Sequence, residues 1–311
     1  MLSRKKQLAA KVESTKGTKE TLADADANIL CDEISVSFSP EEVVRDPLRS
    51  SISPLVSLPG AKIGTITCRV ELKGSGTATT APSWGTLLRA CGFEETTDAD
   101  SVYYTPTSDE DSIPTLTIGV NNDGRLDLIY GARGNVSFEF AANQVAYATF
   151  TFTGIFDDTT DSSMWSPTYE STIPVTWKNA SISFNFGASW TTAVVSALTI
   201  DMNNEVTIRQ DANAATGLSY AIITARDPGG TIDPDKVLVA TQDWISHITT
   251  PTTGTFSFDL GTSTGNKLSF SAPKFQVIGR EDGDRDGVAV DTITFKLRAD
   301  SGDDELMIDH V

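Results

Sequence analysis

A side-chain period of two dominates this chain. Ile34, Val36 and Phe38 alternate with Ser35, Ser37 and Ser39; Val136, Phe138 and Phe140 alternate with Ser137 and Glu139; Phe150 and Phe152 stand among Thr149, Thr151 and Thr153. Period two puts the apolar members on one face of an extended segment and the polar members on the other, so these runs read as half-buried antiparallel strands. Similar Thr-, Val-, Ile- and Phe-rich runs at 62–72, 115–119, 126–130, 181–186, 197–201, 220–226, 255–260, 267–271 and 291–298 are bounded by Gly, Asn, Asp and Pro. Asn122-Asp123-Gly124 predicts one tight hairpin, and Asn203-Asn204, between Ile200 and Val206–Ile208, a second. The fold class expected is mainly β.

Helical spacing is confined to three places. Residues 5–13 put Leu8 and Val12 on one face and read as a short N-terminal helical arm. Ser83 to Cys91 sets Trp84, Leu87, Leu88 and Cys91 at helical intervals, entered at Pro82 and stopped by Gly92. Asp235 to Ile248 carries Val237, Leu238, Thr241, Trp244, Ile245 and Ile248 on one side, after Asp233 and Pro234 as entry signals. Strands and one helix run in the same order in each half, which supports a tandem duplication of a β-rich unit. The organisation expected is a basic arm at 1–24, a first β-rich domain at 25–156, a polar linker at 157–173 and a second β-rich domain at 174–311, each domain flanked by one helix.

Charge is uneven along the chain. The formal charge is −18, yet residues 1–20 hold six Lys and Arg against two Glu, so the remaining residues carry −22. A basic segment on an acidic body reads either as a solvated tail or as a device that docks onto the acidic surface of another copy. The acidic body argues against wrapping nucleic acid through basic side chains. Arg4, Lys5 and Lys6 open like a signal peptide, but no apolar core of about 7–15 residues follows, so neither secretion by that route nor membrane embedding is expected. Cys31, Cys68 and Cys91 show no C-x-x-C spacing and read as reduced thiols.

Chemistry-bearing constellations are scarce. The histidines are His247 and His310, the first in an expected helix, which weighs against Ser-His or Cys-His hydrolysis. Glu281 to Gly287 resembles the front of a calcium loop, with Asp282, Asp284 and Asp286 alternating, but the closing acid would fall on Ile293, so a solvated turn is the better reading. Asp303-Asp304-Glu305 reads as an exposed turn. Gly229-Gly230 lacks the Lys of a phosphate loop. No enzyme is recognisable, and neither a catalytic site, a metal site nor a cofactor is expected.

Several segments together resemble the tail tube (major tail) proteins of long, flexible-tailed phages: residues 4–21 (RKKQLAAKVESTKGTKET) followed by 24–46, the Trp and Leu-Leu helix of 82–93 (PSWGTLLRACGF), and the stretches 198–234 and 283–311. The resemblance implies β-sandwich units flanked by a helix. It also implies self-association into stacked rings of six tube domains, a hollow cylinder through which double-stranded DNA passes without specific binding. Two such domains in one chain favour a trimer, and one favours a hexamer. Further implied partners are other tail proteins, the location is the virion tail, and assembly takes place in the host cytoplasm. Arg4, Lys5, Lys6 and Lys11 become candidates for contact with the next ring, and deleting residues 1–16 is expected to leave folded subunits that fail to polymerise. Pore-facing positions are expected to favour Asp, Glu, Asn, Thr and Ser over Lys and Arg. The competing class is a tandem β-sandwich adhesin or carbohydrate-binding module, with Trp165, Tyr169, Trp177 and Trp190 as its aromatic candidates.

Overall fold

The computed structural model describes residues 1–187, 189–190 and 193–311, and of residues 189 and 190 the backbone only. It is 51% strand and 5% helix. The first half contributes β1 (Lys6–Val12), β2 (Cys31–Val43), β3 (Leu58–Glu71), β4 (Phe93–Thr97), β5 (Val102–Pro106), β6 (Leu116–Asn122), β7 (Arg125–Ala141), β8 (Tyr147–Phe156) and β9 (Thr160–Asp161). The second contributes β10 (Ser183–Asn185), β11 (Ser189–Trp190), β12 (Val195–Asp201), β13 (Glu205–Gln210), β14 (Leu218–Ala225), β15 (Gly229–Pro234), β16 (Thr253–Leu260), β17 (Leu268–Arg285), β18 (Val288–Arg298) and β19 (Met307–His310). Helix α1 (Gly85–Arg89) lies between β3 and β4, and α2 (Trp244–Thr249) between β15 and β16.

The alternation read from sequence builds one continuous antiparallel run, β2-β3-β8-β7-β12-β15-β18-β17. One face of it is apolar and buried: Ile66, Phe150, Phe138, Leu198, Ile232 and Phe295. The residues that alternate with them, Thr65, Thr151, Ser137, Thr199, Thr231 and Thr294, make the other face polar. A second layer covers the apolar face. It forms because β7 and β17 change partners at bulges, between Tyr130 and Arg133 and between Val277 and Gly279. Before its bulge β7 pairs with β6, which carries β1 on its other side. β17 likewise pairs with β16 and, further back, with β19, which leads to β5 and β4. Aromatic rings fill the space between the layers, among them Phe138 with Phe270 at 5.6 Å, Phe140 with Phe258 at 4.8 Å and Phe256 with Phe295 at 6.0 Å. Each such pair adds about 0.5–1.5 kcal/mol beyond its buried area.

The halves are joined through the sheet. β7 pairs with β12 over Ser137–Ala141 and Ala197–Asp201, and one apolar cluster contains buried residues of both. Residues 157–173 run along the first half: Thr160–Asp161 pairs with β7, Trp165 N–H donates to Gln7 at 2.9 Å, and Glu170 accepts from Ser83 N–H at 2.8 Å.

Three expectations need correction. Residues 5–13 do not form a helix: Lys6–Val12 is β1, paired residue for residue with Leu116–Asn122. A segment this short holds little helix alone, whereas the open edge of β6 supplies a full ladder, and Leu8, Ala9 and Ala10 are buried in succession between covering groups on both faces. The second helix starts at Trp244 rather than Asp235, because Asp235 bridges to Val290 and Lys236 N–H donates to Ala289 O, while Asp243 caps the helix through Ser246 N–H at 3.0 Å. Asn203-Asn204 does not close a hairpin between its flanking strands. β13 pairs with β14, and the Asn204 amide donates instead to Cys91 O at 2.7 Å and Gly134 O at 3.1 Å. The Asn122–Gly124 hairpin and the burial of Trp84, Leu87, Leu88 and Cys91 around α1 follow the sequence reading.

Candidate assembly surface

Chemistry of a reactive kind does not gather anywhere among the described residues, where no group of three or more His, Cys, Asp or Glu is placed to hold a metal. The acidic run 281–287 is the tip of the β17–β18 hairpin, with Asp286 and Gly287 in the left-handed region. Two of its charged side chains are paired locally: Lys236 and Arg280 pair with Asp282, and Arg285 with Asp233 at 3.0 Å and with Asp235. Asp303-Asp304-Glu305 is half-buried rather than exposed, because Arg226 binds Asp303 and, at 3.3 Å, Glu305. His247 lies in α2 and stacks on Phe186 at 4.0 Å. Hydrogen bonding to Cys31, together with burial, holds the Cys68 thiol well above its usual range, and burial does the same for Cys91.

The aromatic candidates divide. Trp177 is buried against Phe140 at 5.6 Å and Phe258 at 6.1 Å. Trp165 is half-buried, and Tyr169 is exposed with its hydroxyl 3.5 Å from the Gln7 amide. The Trp190 side chain lies outside the described residues.

The four basic candidates do not form one patch. Lys5 lies 3.5 Å from Asp123, Lys6 donates to Ile34 O at 3.2 Å, and Lys11 donates to Thr21 O at 3.1 Å and faces Glu20 at 3.4 Å. Arg4 makes no ion pair among the described residues. It shares with Lys6 the mouth of a groove of about 600 Å³ that Asp32, Glu33 and Arg69 also line.

What sequence reasoning missed is an extended exposed apolar segment. β2 and β3 run on past the sheet as a long hairpin whose connection, 44–57, leaves Leu48 and Ile52 fully exposed and Val44 and Val56 nearly so. Phe38, at the same end of β2, is 44% exposed although it stacks on Phe156 at 4.3 Å. A run of uncovered apolar side chains of this extent marks a surface that meets another protein. Pro40, Pro47, Pro54 and Pro59 break every periodicity through this stretch, and apolar residues scattered among prolines were its one legible signal.

Two strand edges are also open. Among the described residues β2 pairs only with β3, and β17 beyond its bulge pairs only with β18. Unpaired N–H and C=O groups at an edge invite another strand.

A sequence model of the family described as phage tail tube protein matches residues 3–299. The chain belongs to the phage tail tube protein family. No curated protein matches it at a significant level of similarity. This tube protein is therefore a structural component of the virion tail that polymerises with copies of itself, and it is not an enzyme. Open edges and an uncovered apolar strap are what a polymer subunit presents before it meets its neighbours.

The polar face of the tube protein has a distinctive charge arrangement. Its cations are each held by carboxylates: Arg69 by Asp32 at 3.9 Å and Glu139 at 3.3 Å, Lys296 and Arg298 by Asp227 at 2.5 and 2.9 Å, and Arg285 by Asp233 and Asp235. The hydrogen bond from Lys296 holds the Asp227 carboxyl below its ordinary value of 3.8, and that from Lys236 does so for Asp282. A carboxyl whose folded pKa is depressed contributes stability that is present above the unfolded pKa and lost as pH falls through the folded one. Melting temperature should thus hold steady from pH 7 to about 5 and drop below about 4. Thermal melts across that range check this, with Asp227→Asn expected to be less stable at pH 7 and to show a smaller acid-induced drop.

Proposed function

We propose that three copies of this chain close a ring of six tube units, and that rings stack into the hollow cylinder that conducts the phage genome. The units are the segments 25–156 and 174–311. The observation that carries this reading is the strand order, because the eight-stranded run consists of two quartets built alike. β2-β3-β8-β7 takes its strands in the chain order first, second, fourth, third, and so does β12-β15-β18-β17. The run begins and ends on an open edge, so it is a third of a closed sheet of about 24 strands; porins of about 16–18 strands already hold an aqueous channel.

The Thr- and Ser-rich face lines the bore in this reading. DNA adheres to Lys and Arg by releasing counterions, so a conduit that must let it slide needs cations that are already neutralised. The ion pairs of Arg69, Arg285, Lys296 and Arg298 meet that need, and Glu139, Asp201 and Glu281 add acidic character to the same face. Arg4, Lys5, Lys6 and Lys11 serve the contact between rings, with Arg4 making no ion pair among the described residues.

Negative-stain microscopy of the purified chain at high concentration tests the reading. Annular end views and stacked side views are expected; filaments with a solid centre, or a discrete small oligomer at every concentration, would overturn it.

A further inference from the structure

We propose that Cys31 and Cys68 form an oxidation site, at which a peroxide joins them in a disulfide that staples β2 to β3 at the base of their long hairpin. The bond forms within one chain and does not depend on the ring reading above. It gives a role to thiols whose spacing in the sequence offers no reason to pair them.

A bulge brings the pair together. On β3 the side chains of Ile66, Cys68 and Val70 are buried, while Thr67 and Arg69 alternate with them on the polar face. On β2, Ile34 stands opposite Cys68 and Glu33 opposite Arg69. A regular ladder would continue with Asp32 opposite Val70, and Cys31 would face Glu71 on the polar side. The register instead shifts between Cys31 and Glu33, so Asp32 is the extra residue and Cys31 stands opposite Val70. The shift leaves the Asp32 carboxylate exposed and turns a thiol toward the core. Cys31 packs on the apolar cluster that contains Cys68, and the two thiols are hydrogen-bonded.

The two cysteines differ in access. Cys68 is fully buried, whereas Cys31 is half-buried and lines the groove of about 600 Å³ shared with Arg4 and Lys6. A small peroxide entering that groove meets Cys31 first. The Cys31 thiolate attacks one oxygen of hydrogen peroxide: an S–O bond forms, the O–O bond breaks, and the displaced hydroxide takes up the thiol proton to leave as water. The Cys68 sulfur then attacks the Cys31 sulfenic acid. An S–S bond forms, the S–O bond breaks, and the hydroxyl departs with the Cys68 proton as a second water. Two thiols lose two electrons and the peroxide gains them. Cys91 is buried in the same cluster and has no such opening to start the reaction.

The timing of the bond follows from where the protein works. A reducing cytoplasm keeps both thiols free while subunits are made, and a virion that has left the cell has no thiol pool to hold them so. The loop the bond closes, 31–68, encloses the whole exposed strap 44–57, in which Arg45 and Arg49 are open to solvent. A backbone cut in the strap severs β2 from β3 in the reduced chain. In the oxidised chain the two pieces stay covalently joined.

Limited trypsin digestion of the free, unaltered chain tests the bond. After hydrogen peroxide treatment, chains nicked at Arg45 or Arg49 are expected to run as one band on a denaturing gel without reductant and as two bands with it. Untreated chains should give two bands in both cases, and so should Cys31→Ser after peroxide. Peptide mapping of the treated, undigested chain is expected to find residues 31 and 68 linked with the loss of two hydrogen atoms, and Cys91 alkylated only after unfolding. In Cys68→Ala the Cys31 sulfenic acid should persist long enough to be captured by dimedone. Treated protein whose three cysteines are all still alkylated after unfolding, a bond between Cys68 and Cys91, or disulfide-joined dimers would each overturn the proposal while leaving the ring reading untouched.

Discussion

Deleting residues 1–16 is expected to give a chain that does not fold, rather than folded subunits that fail to polymerise. The segment read from sequence as a detachable arm is a strand of the second layer, and it ends on Glu13, a carboxylate only 6% exposed. Glu13 accepts hydrogen bonds from Thr115 Oγ1 at 2.6 Å, Thr117 Oγ1 at 2.9 Å, Gly131 N–H at 2.7 Å and Gly17 N–H at 2.8 Å. The truncation leaves those buried donors without an acceptor, at about 1–3 kcal/mol each. It also uncovers the edge of β6 and removes Leu8 from the core, where loss of a leucine side chain alone costs about 2–5 kcal/mol. The sum rivals the entire stability of a typical domain, about 5–15 kcal/mol. Glu13→Leu isolates the polar part and should cost about 3–5 kcal/mol in denaturant unfolding. A truncated chain that melts cooperatively near the temperature of the intact one would contradict this placement of β1.

Phe140→Ala is expected to lower unfolding free energy by about 3–5 kcal/mol, the range for emptying a well-packed aromatic site. Phe140 stands opposite Leu198 in the β7–β12 joint, and its ring meets Trp177 at 5.6 Å, Phe258 at 4.8 Å and Phe270 at 5.2 Å. Strands from both halves thus pack on one side chain, and no small shift of the surrounding strands can refill the space. Glu139→Ala, one residue away on the polar face, removes only the half-exposed contact to Arg69 and should change stability by less than about 1 kcal/mol. Urea titrations of the two variants make the comparison. Equal effects would mean that β7 does not present alternate faces to the core and to solvent.

These two residues also show where the sequence was readable. Val136-Ser137-Phe138-Glu139-Phe140 declares its buried and exposed faces through local alternation, and the main sheet follows such patterns closely. Alternation does not say which strand lies beside which. The β7–β12 joint pairs residues about 60 positions apart, and nothing local to Ala197–Asp201 distinguishes a partner in β7 from one in β13. Lys6–Val12 failed for a related reason: Lys, Gln, Leu and Ala are good helix formers, and the open edge of β6 overrode that preference. Asn203-Asn204 has turn chemistry that a distant carbonyl at Cys91 claimed. Of the assembly surface, the basic residues were visible by charge, but the pairing of Lys5 with Asp123 and of Lys11 with Glu20, and the hydrogen bond from Lys6 to the Ile34 carbonyl, depend on chain packing. The strap at 44–57 escaped because prolines erase periodicity, and its meaning lies in what fails to cover it.

A cryo-electron microscopy map of the assembled tube, reconstructed without imposed symmetry, tests the central claim most directly. The account predicts three chains per ring, an unbroken wall of about 24 antiparallel strands, and the face bearing Thr65, Thr151, Thr199 and Thr294 turned to the bore. A wall of another strand number, or a bore lined by the opposite side of the sheet, would contradict it.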